Sequence, residues 1–342
     1  MERPTQKDVA VRAGVTRAVV SRVMHGGAST IRVSEETAVR VRAAAHELGY
    51  HPNVSARNLK RRRTGMIGVL HGDGFPRMSL NAGSRYFADL MDGIIDGAFA
   101  YGYTVGICPQ LFSQTPEDAM ADGRFDGLVW YSTYPSESNI ARLRRCSVPI
   151  AIVHSHTADF DDRFPAAICD NAGGIRLALE HLAELGHRKV AYAHDAEFLG
   201  SEARLRRDAF LDQAPAFGMQ ASQIDVRGDR SGLRDYLAGS IPHTAIIAQN
   251  EALAAHVSTG LQEKGHVVPD DVSVVGFDST DFCDLLTPRL TAISQPISSL
   301  GYRAVQMLTE VIEGRSPTPF EAILPCGLDV RASTSRVKEV LS

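Results

Sequence analysis

From residue 66 onward, the sequence alternates short apolar runs with longer amphipathic segments, and this alternation limits the folds that are open to the chain. Apolar runs without polar alternation are typical of parallel strands that are buried on both faces. Such runs predict strands at 67–70, 105–108, 128–131, 150–153, 167–169, 190–193, 245–248 and 272–277. Because strands and helices alternate, the predicted fold is an α/β body with doubly wound parallel sheets.

The amphipathic segments between the strands are each followed by glycine, as helices often are. The clearest are 84–101, 174–185, 251–264 and 299–313. In the first, five residues at helical spacing are expected to face the core: Phe87, Leu90, Met91, Ile94 and Ile95. One sheet of this size would be unusual, so we predict two lobes, with chain crossings near 160–170 and 290–296. A ligand is then expected in the cleft, outside the carboxyl ends of the strands.

Residues 5–24, TQKDVAVRAGVTRAVVSRVM, have the pattern of a helix-turn-helix. Thr5 can cap a first helix, and Asp8 can accept from the backbone N–H of Thr5. Gly14 is placed to end that helix, and Thr16 is placed to cap a second one in which Val20 faces inward.

Four residues of the second helix then point outward: Arg17, Ala18, Ser21 and Arg22. A recognition helix in the DNA major groove needs long donors near its N-terminal half, and an arginine can fork onto guanine O6 and N7. The alternative is a pair of short surface helices in any globular domain.

A third helix is predicted between Ser34, which can cap it, and Gly49, which can end it. Its apolar residues recur at helical spacing: Ala38, Val41, Ala45 and Leu48. Two short helices cannot bury both apolar faces, so the third is expected to complete a three-helix core. The DNA-binding domain is therefore predicted at 1–51.

Residues 52–64 are predicted to form a hinge helix and linker, with a basic run, KRRR, that begins at Lys60. Asn53 or Ser55 can start the short helix. Leu59 is flanked by cations, and a leucine so placed can wedge into a minor-groove step while the cations follow the DNA backbone. The alternative is a solvated basic linker with Leu59 packed on the body.

Charge is divided unevenly along the chain. Residues 1–63 contain 13 Lys and Arg against 5 Asp and Glu, a net of +8, whereas the remainder contains 23 against 35, a net of −12. This division fits a head that neutralises phosphates, attached to a body, 65–342, that does not contact them.

Several function classes are disfavoured. The five cysteines are scattered, which indicates buried thiols in a reducing cytoplasm and argues against a disulfide frame or a zinc site. We find no apolar signal segment and no membrane span. The string GDGF has Arg77 where a dinucleotide loop needs a third glycine, and His154 and His156 lack further metal ligands at a supporting spacing. No enzyme activity, cofactor or metal is therefore expected.

Longer motifs make the comparison with known families specific. The head reads KDVAVRAGVTRAVVSRVM and then VSEETAVRVRAAAHELGYHPNVSARNLKRRRTGMIGV. The body reads FDGLVW, LALEHLAELGHRKVAY, VPDDVSVVGFD and LTAISQPISSLGYRAVQML. Over residues 5–335 the chain resembles the LacI/GalR family of bacterial transcription regulators. The resemblance implies a cytoplasmic, nucleoid-associated homodimer that reads a pseudo-palindromic operator, with a periplasmic-binding-protein-like body that holds an effector.

The resemblance also implies roles for individual residues. The residues that would read the major groove are Thr16, Arg17, Ala18, Ser21 and Arg22. The linker would contribute Asn53, Ser55, Leu59 and Lys60 to DNA binding. Among these, Leu59 would intercalate at the operator centre. The residues that would bind the effector lie in both lobes. In the first lobe they are Tyr86 or Phe87, Tyr131 and His154, and in the second they are Arg206, Arg230, Asn250 and Asp278.

The chemistry of these effector residues suits a sugar. Asp278 and Asn250 can pair with vicinal hydroxyls, and Arg206 can fork onto hydroxyls or a carboxylate. The chain departs from the family at His154, where an acidic residue is common, and at Arg230, where sugar-binding members often place an aromatic ring. Arg206, Arg230 and His154 together suggest a cationic side suited to a sugar acid. The alternative is that Arg230 points to solvent or pairs with a carboxylate.

We therefore predict a sequence-specific transcription regulator, a repressor, whose operator affinity changes when a sugar or sugar acid binds between the lobes. The alternative from another class is a solute-binding protein of transport or chemotaxis. Such a protein would share the body but would need a signal peptide and no basic head.

Overall fold

The computed structural model describes residues 4–25, 31–51, 63–71, 85–108, 123–131, 137–196 and 200–338. The chain divides into two compact units, Met1–Thr64 and Gly65–Ser342, which we call the head and the body. The linker residues to which a DNA-binding role is assigned lie outside the described residues: Asn53, Ser55, Leu59 and Lys60.

The head contains three helices, α1 (Gln6–Ala13), α2 (Arg17–His25) and α3 (Glu35–Glu47). Their apolar faces meet in one small core, formed by Val9, Ala10, Ala13, Val20, Val41, Ala44, Ala45 and Tyr50. The predicted helix-turn-helix and its third supporting helix are thus confirmed.

Local contacts explain where α1 ends and α2 begins. The carboxylate of Asp8 accepts hydrogen bonds from the N–H and the hydroxyl of Thr5, at 2.8 and 2.7 Å. Gly14 has a φ of 64°, in the left-handed region that glycine adopts at low cost, and it turns the chain out of α1. The hydroxyl of Thr16 accepts from the N–H of Val19 at 3.4 Å and so caps α2.

The body has two lobes, each built on a six-stranded sheet. The first sheet has the order β11-β5-β4-β3-β1-β2 and is parallel throughout. Its strands are β1 (Met66–His71), β2 (Thr104–Cys108), β3 (Gly127–Tyr131), β4 (Ile150–Val153), β5 (Ala166–Cys169) and β11 (Glu321–Leu324). The helices of this lobe are α4 (Tyr86–Ala100), α5 (Glu137–Arg145) and α11 (Ile297–Ile312). Helices α4 and α11 cover one face and α5 covers the other.

The second sheet has the order β12-β10-β9-β8-β6-β7, and only its edge strand β12 is antiparallel to its neighbour. Its strands are β6 (Lys189–His194), β7 (Gln220–Asp225), β8 (Ala245–Ala248), β9 (Ser273–Asp278), β10 (Thr291–Ser294) and β12 (Gly327–Asp329). The helices of this lobe are α6 (Asn171–Glu184), α7 (Ser201–Gln213), α8 (Ser231–Ala238), α9 (Glu251–Glu263) and α10 (Phe282–Leu285). All eight predicted strands are present, and the predicted doubly wound α/β body is confirmed.

The chain passes between the lobes three times: from β5 to α6, from β10 to α11, and from β11 to β12. The sequence predicts crossings near 160–170 and 290–296 but not the third. Three neighbouring connections allow two lobes to change their angle without separating, as in hinge closure around a ligand.

One residue of α4 is placed differently from the prediction. Four of the five residues expected to face inward are buried: Phe87, Leu90, Met91 and Ile94. The inward prediction for Ile95 is wrong, because its side chain is 38% exposed. Phe99, one turn later, is 80% exposed. The apolar stripe of α4 is wider than the lobe core can cover, and its uncovered edge forms an apolar surface.

Candidate DNA interface and effector cleft

The start of α2 presents the predicted groove-reading residues to solvent. Thr16, Arg17 and Ala18 are exposed, and Ser21 and Arg22 are half-buried. Val20, between them in sequence, is fully buried in the head core. The helix is therefore anchored by one face and offers hydroxyl and guanidinium donors on the other.

Two further arginines of the head stabilise the framework that carries α2. Arg12 of α1 pairs with Glu47 of α3 at 2.8 Å. The Nε of Arg40 donates to the carbonyl of Ala13 at 3.1 Å, at the last turn of α1. Both contacts hold α1 against α3, so these cations are engaged within the head.

On the first-lobe side of the cleft, the four predicted effector residues form one aromatic group. The Tyr86 hydroxyl is hydrogen-bonded to the His154 imidazole, and the two ring centres are 5.4 Å apart. The Tyr131 ring lies edge-on to His154 at 5.7 Å, and Phe87 packs behind Tyr131 at 5.9 Å in the lobe core. Burial, aided by the charge of Arg206, lowers the pKa of His154 to about 3, so its ring is neutral at neutral pH.

On the second-lobe side, Arg206 of α7 is the central residue, and it is 7% exposed. Its Nε donates to the side-chain oxygen of Asn171 at 2.8 Å, and its Nη1 donates to the carbonyl of Gln249 at 2.9 Å. The guanidinium lies 3.7 Å from the centre of the Phe277 ring and 3.6 Å from the Asp278 carboxylate. Burial alone would lower the pKa of Arg206, but Asp278 and other acidic neighbours raise it above its ordinary value, so the guanidinium stays charged.

Asp278 is the carboxylate partner at the end of β9. Its φ of 98° is rare for a residue with a side chain, and such conformations concentrate at functional sites. The side-chain amide of Gln295 donates to Asp278 at 2.6 Å. Burial raises the pKa of Asp278 to about 6, Arg206 opposes this rise, and Glu251 adds to it.

The other two predicted residues of this lobe differ in placement. Asn250 caps α9, since its side-chain oxygen accepts from the N–H of Leu253 at 2.8 Å. Arg230 is exposed, has a φ of 61°, and precedes α8. Its backbone is hydrogen-bonded to Arg227 and Arg234, and its charge acts on His256. The structure therefore does not bring Arg230 to the group around Arg206.

Three polar residues that the sequence does not single out belong to this group: Asn171, Glu202 and Gln295. The amide of Asn171 donates to Glu202 at 2.5 Å while its oxygen accepts from Arg206. Two features of the sequence point to these residues. Glu202 precedes Arg206 by four residues on one helix, so the two share a face. Asn171 and Gln295 come soon after the carboxyl ends of β5 and β10, where ligand-binding residues of such sheets lie.

Glu251 is a buried carboxylate that serves the fold. It accepts from the N–H and the hydroxyl of Thr280 at 2.8 and 2.7 Å, and from the Cys283 thiol at 3.3 Å. These bonds hold the loop after β9, and thereby the backbone that carries Asp278.

In the part of the chain that the structure describes, no three or more His, Cys, Asp and Glu side chains are grouped to hold a metal ion. Nor does any helix there combine the length and the apolar character that crossing a membrane requires.

Comparisons with known proteins agree with this division into head and body. The model of bacterial regulatory proteins of the lacI family matches residues 5–53, and that of the periplasmic binding protein-like domain matches residues 179–334. The HTH-type transcriptional repressor PurR of Serratia proteamaculans (strain 568) is 32% identical over 326 residues, which cover 90% of each chain. The chain belongs to the lacI family. This lacI-family protein is a DNA-binding transcription regulator, and the predicted family is confirmed.

Solved structures extend the likeness over the whole lacI-family chain. The lac repressor dimer, bound to operator and the anti-inducer ONPF, has a TM-score of 0.76 and 27% identity, with 98% of this chain and 100% of that chain covered. The complex of the transcriptional regulator CelR with cellobiose has a TM-score of 0.69 and 25% identity, with 97% and 100% covered. A solute-binding protein, the alternative from sequence, would not carry the lacI-family head.

Proposed function

We propose that this lacI-family regulator is a repressor whose operator affinity changes when a small hydroxylated molecule binds between its lobes. The observation that carries the proposal is the buried group of Arg206, Asp278 and Asn171, which meets Tyr86 and His154 of the opposite lobe. The charges of Arg206 and Asp278 both act on Tyr86, and burial raises the pKa of its hydroxyl well above the ordinary value. Clustered buried groups with shifted pKa values at strand ends are typical of ligand sites.

The chemistry of this group favours a carbohydrate-like ligand. Carboxylate and amide oxygens accept hydrogen bonds from hydroxyls, and a guanidinium donates to them. The rings of Tyr86 and Tyr131 add an apolar surface beside these polar atoms. CelR, which is similar to this chain over nearly its whole length, is described in complex with cellobiose. We infer that an effector with several hydroxyls binds here as well.

Effector binding can act on DNA binding only if it favours one lobe arrangement over another. Arg85, which directly precedes α4 of the first lobe, pairs with Asp281 of the second lobe at 2.6 Å. This ion pair and the three crossings hold the lobes in one arrangement. A ligand that binds this arrangement more tightly than another shifts the population toward it, and we infer that the operator distinguishes the two states.

The apolar surface on α4 fits a second copy of the chain. A groove there is lined by Met91, Ile95, Phe99, Tyr103, Val105 and Ile107. Ile95, Phe99 and Ile107 are 38%, 80% and 47% exposed, which is unusual for side chains of this size. The similar lac repressor is described as a dimer on its operator. We infer a homodimer in which this surface is covered, so that two heads read the two halves of a pseudo-palindrome.

Replacing Phe99 with aspartate is expected to raise the dimer dissociation constant at least about a hundredfold, because a charge is then buried against an apolar partner surface. Sedimentation velocity over a range of concentrations measures this change. Thr259→Asp is the control, since it adds the same charge at an exposed polar position on α9 of the second lobe. A Phe99→Asp protein that dimerises like the control would show that α4 is not the interface.

The experiment that tests the proposed function is selection from a pool of random duplex DNA, with and without a panel of sugars and sugar acids. We expect a pseudo-palindrome to be enriched, and one compound of the panel to change its occupancy. If no DNA sequence were enriched under any condition, the assignment of the head as a sequence-specific DNA-binding domain would be wrong.

Within the enriched operator, Arg22→Ala is expected to cost about 1–3 kcal/mol and to relax the preference at one base pair. Arg42→Ala is the control, because Arg42 lies on α3 and pairs with Glu35 of the same helix at 3.1 Å. Fluorescence anisotropy against operators altered at single positions separates the two. Equal weakening of every operator variant by Arg22→Ala would assign Arg22 to phosphate contacts.

We also infer that the protein acts by binding and not by catalysis, since the relatives named above are transcription regulators. Its place of action is then the cytoplasm, where the nucleoid presents operator DNA.

A further inference from the structure

Glu202 is the most deeply buried acidic side chain of the effector group, and among the described residues no cation forms an ion pair with it. It lies in the first turn of α7 and is 3% exposed. One carboxylate oxygen accepts from the amide of Asn171 at 2.5 Å and from the thiol of Cys169 at 3.4 Å. Burial raises the pKa of Glu202, although Arg206 partly opposes the rise. Because Cys169 ends β5 of the first lobe, Glu202 is at the boundary between the lobes.

The second carboxylate oxygen of Glu202 is buried and has no hydrogen-bond partner among the residues that the structure describes. The same is true of the side-chain oxygen of Gln295, whose amide nitrogen is used by Asp278. Buried acceptors without a donor are rare in native proteins, because each loses its hydration without compensation. Two such acceptors flank the chain of contacts from Glu202 through Asn171 and Arg206 to Asp278. A ligand at this place must therefore bring donors.

The charges that act on Asp278, at the other end of this chain of contacts, are mostly negative. The groups that act most strongly on its carboxyl include the carboxylates of Glu251 and Glu202 and the guanidinium of Arg206. Among these described groups, with Asp278 included, three acids face one base. A field of this sign attracts cations and repels anions.

The cations that would favour an anionic ligand are otherwise engaged or absent from the group. Arg206 donates to Asn171 and to a backbone carbonyl and lies against the Asp278 carboxylate. The His154 imidazole is neutral, and Arg230 is exposed on α8. The hypothesis of a sugar-acid effector depends on the charges of Arg206, His154 and Arg230. Of these three residues, only Arg206 brings a positive charge to the cleft.

We propose that the effector of this regulator is a hydroxylated molecule that carries a protonated amine, and that Glu202 is the residue that pairs with this amine. The proposal rests on the proposed function, since it names the chemical class of the ligand at the same site. An ammonium group has three donors and no acceptor, so it can satisfy the second oxygen of Glu202, while a hydroxyl of the same ligand donates to Gln295. It also supplies the charge that a buried carboxylate otherwise lacks.

Calorimetric titration of the full-length protein at neutral pH tests the proposal. The probes are D-glucosamine, D-galactosamine and D-mannosamine, each compared with its parent sugar and its N-acetyl derivative, together with D-glucuronate and D-galacturonate. At least one amino sugar is expected to bind about tenfold or more tightly than both its parent and its neutral acetylated form. The comparison among ligands uses the unaltered protein, so it decides the question even where a variant does not fold.

The variant Glu202→Gln keeps the size and the hydrogen bond to Asn171 but removes the charge. In this variant the affinity for the amino sugar is expected to lie within about threefold of the affinity for its parent sugar. Glu263→Gln, which removes one charge from an exposed position on α9, is the matched control and should keep the preference. If both variants lost the preference for the amino sugar, that preference would depend on the net charge of the protein, and the role of Glu202 would be overturned.

The outcomes separate this proposal from the proposed function. Tighter binding of a neutral sugar or a sugar acid than of every amino sugar would retain a carbohydrate effector and overturn the amine. Binding of amino sugar and parent with equal affinity would also overturn it. Absence of binding by every compound in the panel would contradict both.

Discussion

Replacing Gly93 with alanine is expected to lower the free energy of unfolding of the body by at least about 3 kcal/mol. Helix propensity alone would favour alanine by about 1 kcal/mol in the middle of α4. A Cβ atom at Gly93, however, would overlap the backbone carbonyl of Ser298 in the first turn of α11. Backbone cannot move aside as a flexible side chain can, so the two helices must separate and lose the contact that covers one face of the first sheet.

Urea unfolding of the body measures this effect. Asp92→Ala is the matched control, because Asp92 is the preceding residue on α4 and is exposed. It should change the stability by no more than about 0.5 kcal/mol. A similar steric limit applies at Gly301 of α11, where a Cβ atom would overlap the carbonyl of Leu90. Equal stability of Gly93→Ala and the wild type would mean that α4 and α11 are less closely packed than the structure shows.

Most of the strands that the sequence predicts are buried on both faces and have uninterrupted apolar residues; the exception is β2, an edge strand. Three of the four unpredicted strands, β7, β11 and β12, lie at sheet edges. Strand β7, QASQID, contains only two apolar residues and is largely exposed along its length. An edge strand pairs on one side only, and its pattern reflects partial contact with water. The pattern of these three strands is thus set by their tertiary neighbours, whereas the fourth, β10, is a buried inner strand in which Thr291 and Ser294 interrupt the apolar run.

The candidate site shows a related limit. Helix α7, SEARLRRDAFLDQ, has no clear apolar stripe, since Glu202 and Arg206 occupy buried positions that apolar residues would fill in an ordinary helix. The apolar periodicity that identifies helices in a sequence is therefore absent from α7, the helix that carries Glu202 and Arg206. Resemblance identifies Arg206 and Asp278 as single positions, but it does not identify Asn171, which joins Arg206 to Glu202. These linked hydrogen bonds form because three segments, which carry Asn171, Arg206 and Asp278, meet in the folded protein. The spacing of these residues in the sequence does not predict that they meet.

The contacts of Arg206 join α7 to the end of β9 through a buried charge pair. Arg206→Met is expected to destabilise the body by about 3–5 kcal/mol, because it leaves the buried Asp278 carboxylate without its cation. Arg207→Met is the adjacent control, since Arg207 pairs with Asp208 next to it at 2.7 Å and is expected to change stability by less than about 1 kcal/mol. Adding Asp278→Asn to Arg206→Met should recover part of the loss, and a double-mutant cycle from urea unfolding measures the coupling.

The pH dependence of this loss distinguishes a charge effect from a packing effect. In the wild type, burial already raises the pKa of Asp278 to about 6, above the ordinary value of 3.8, although Arg206 opposes the rise. Without Arg206 the folded-state pKa must be higher still. An acid whose pKa is raised by folding binds more protons in the folded state, so its contribution to stability falls as the pH rises through the interval between the two values. The penalty of Arg206→Met should therefore be larger at pH 8 than at about pH 5, where the carboxyl is protonated in the folded variant. A penalty that is the same at both pH values would show that Arg206 stabilises the cleft through its stacking on Phe277 and its hydrogen bonds, and not through its charge on Asp278.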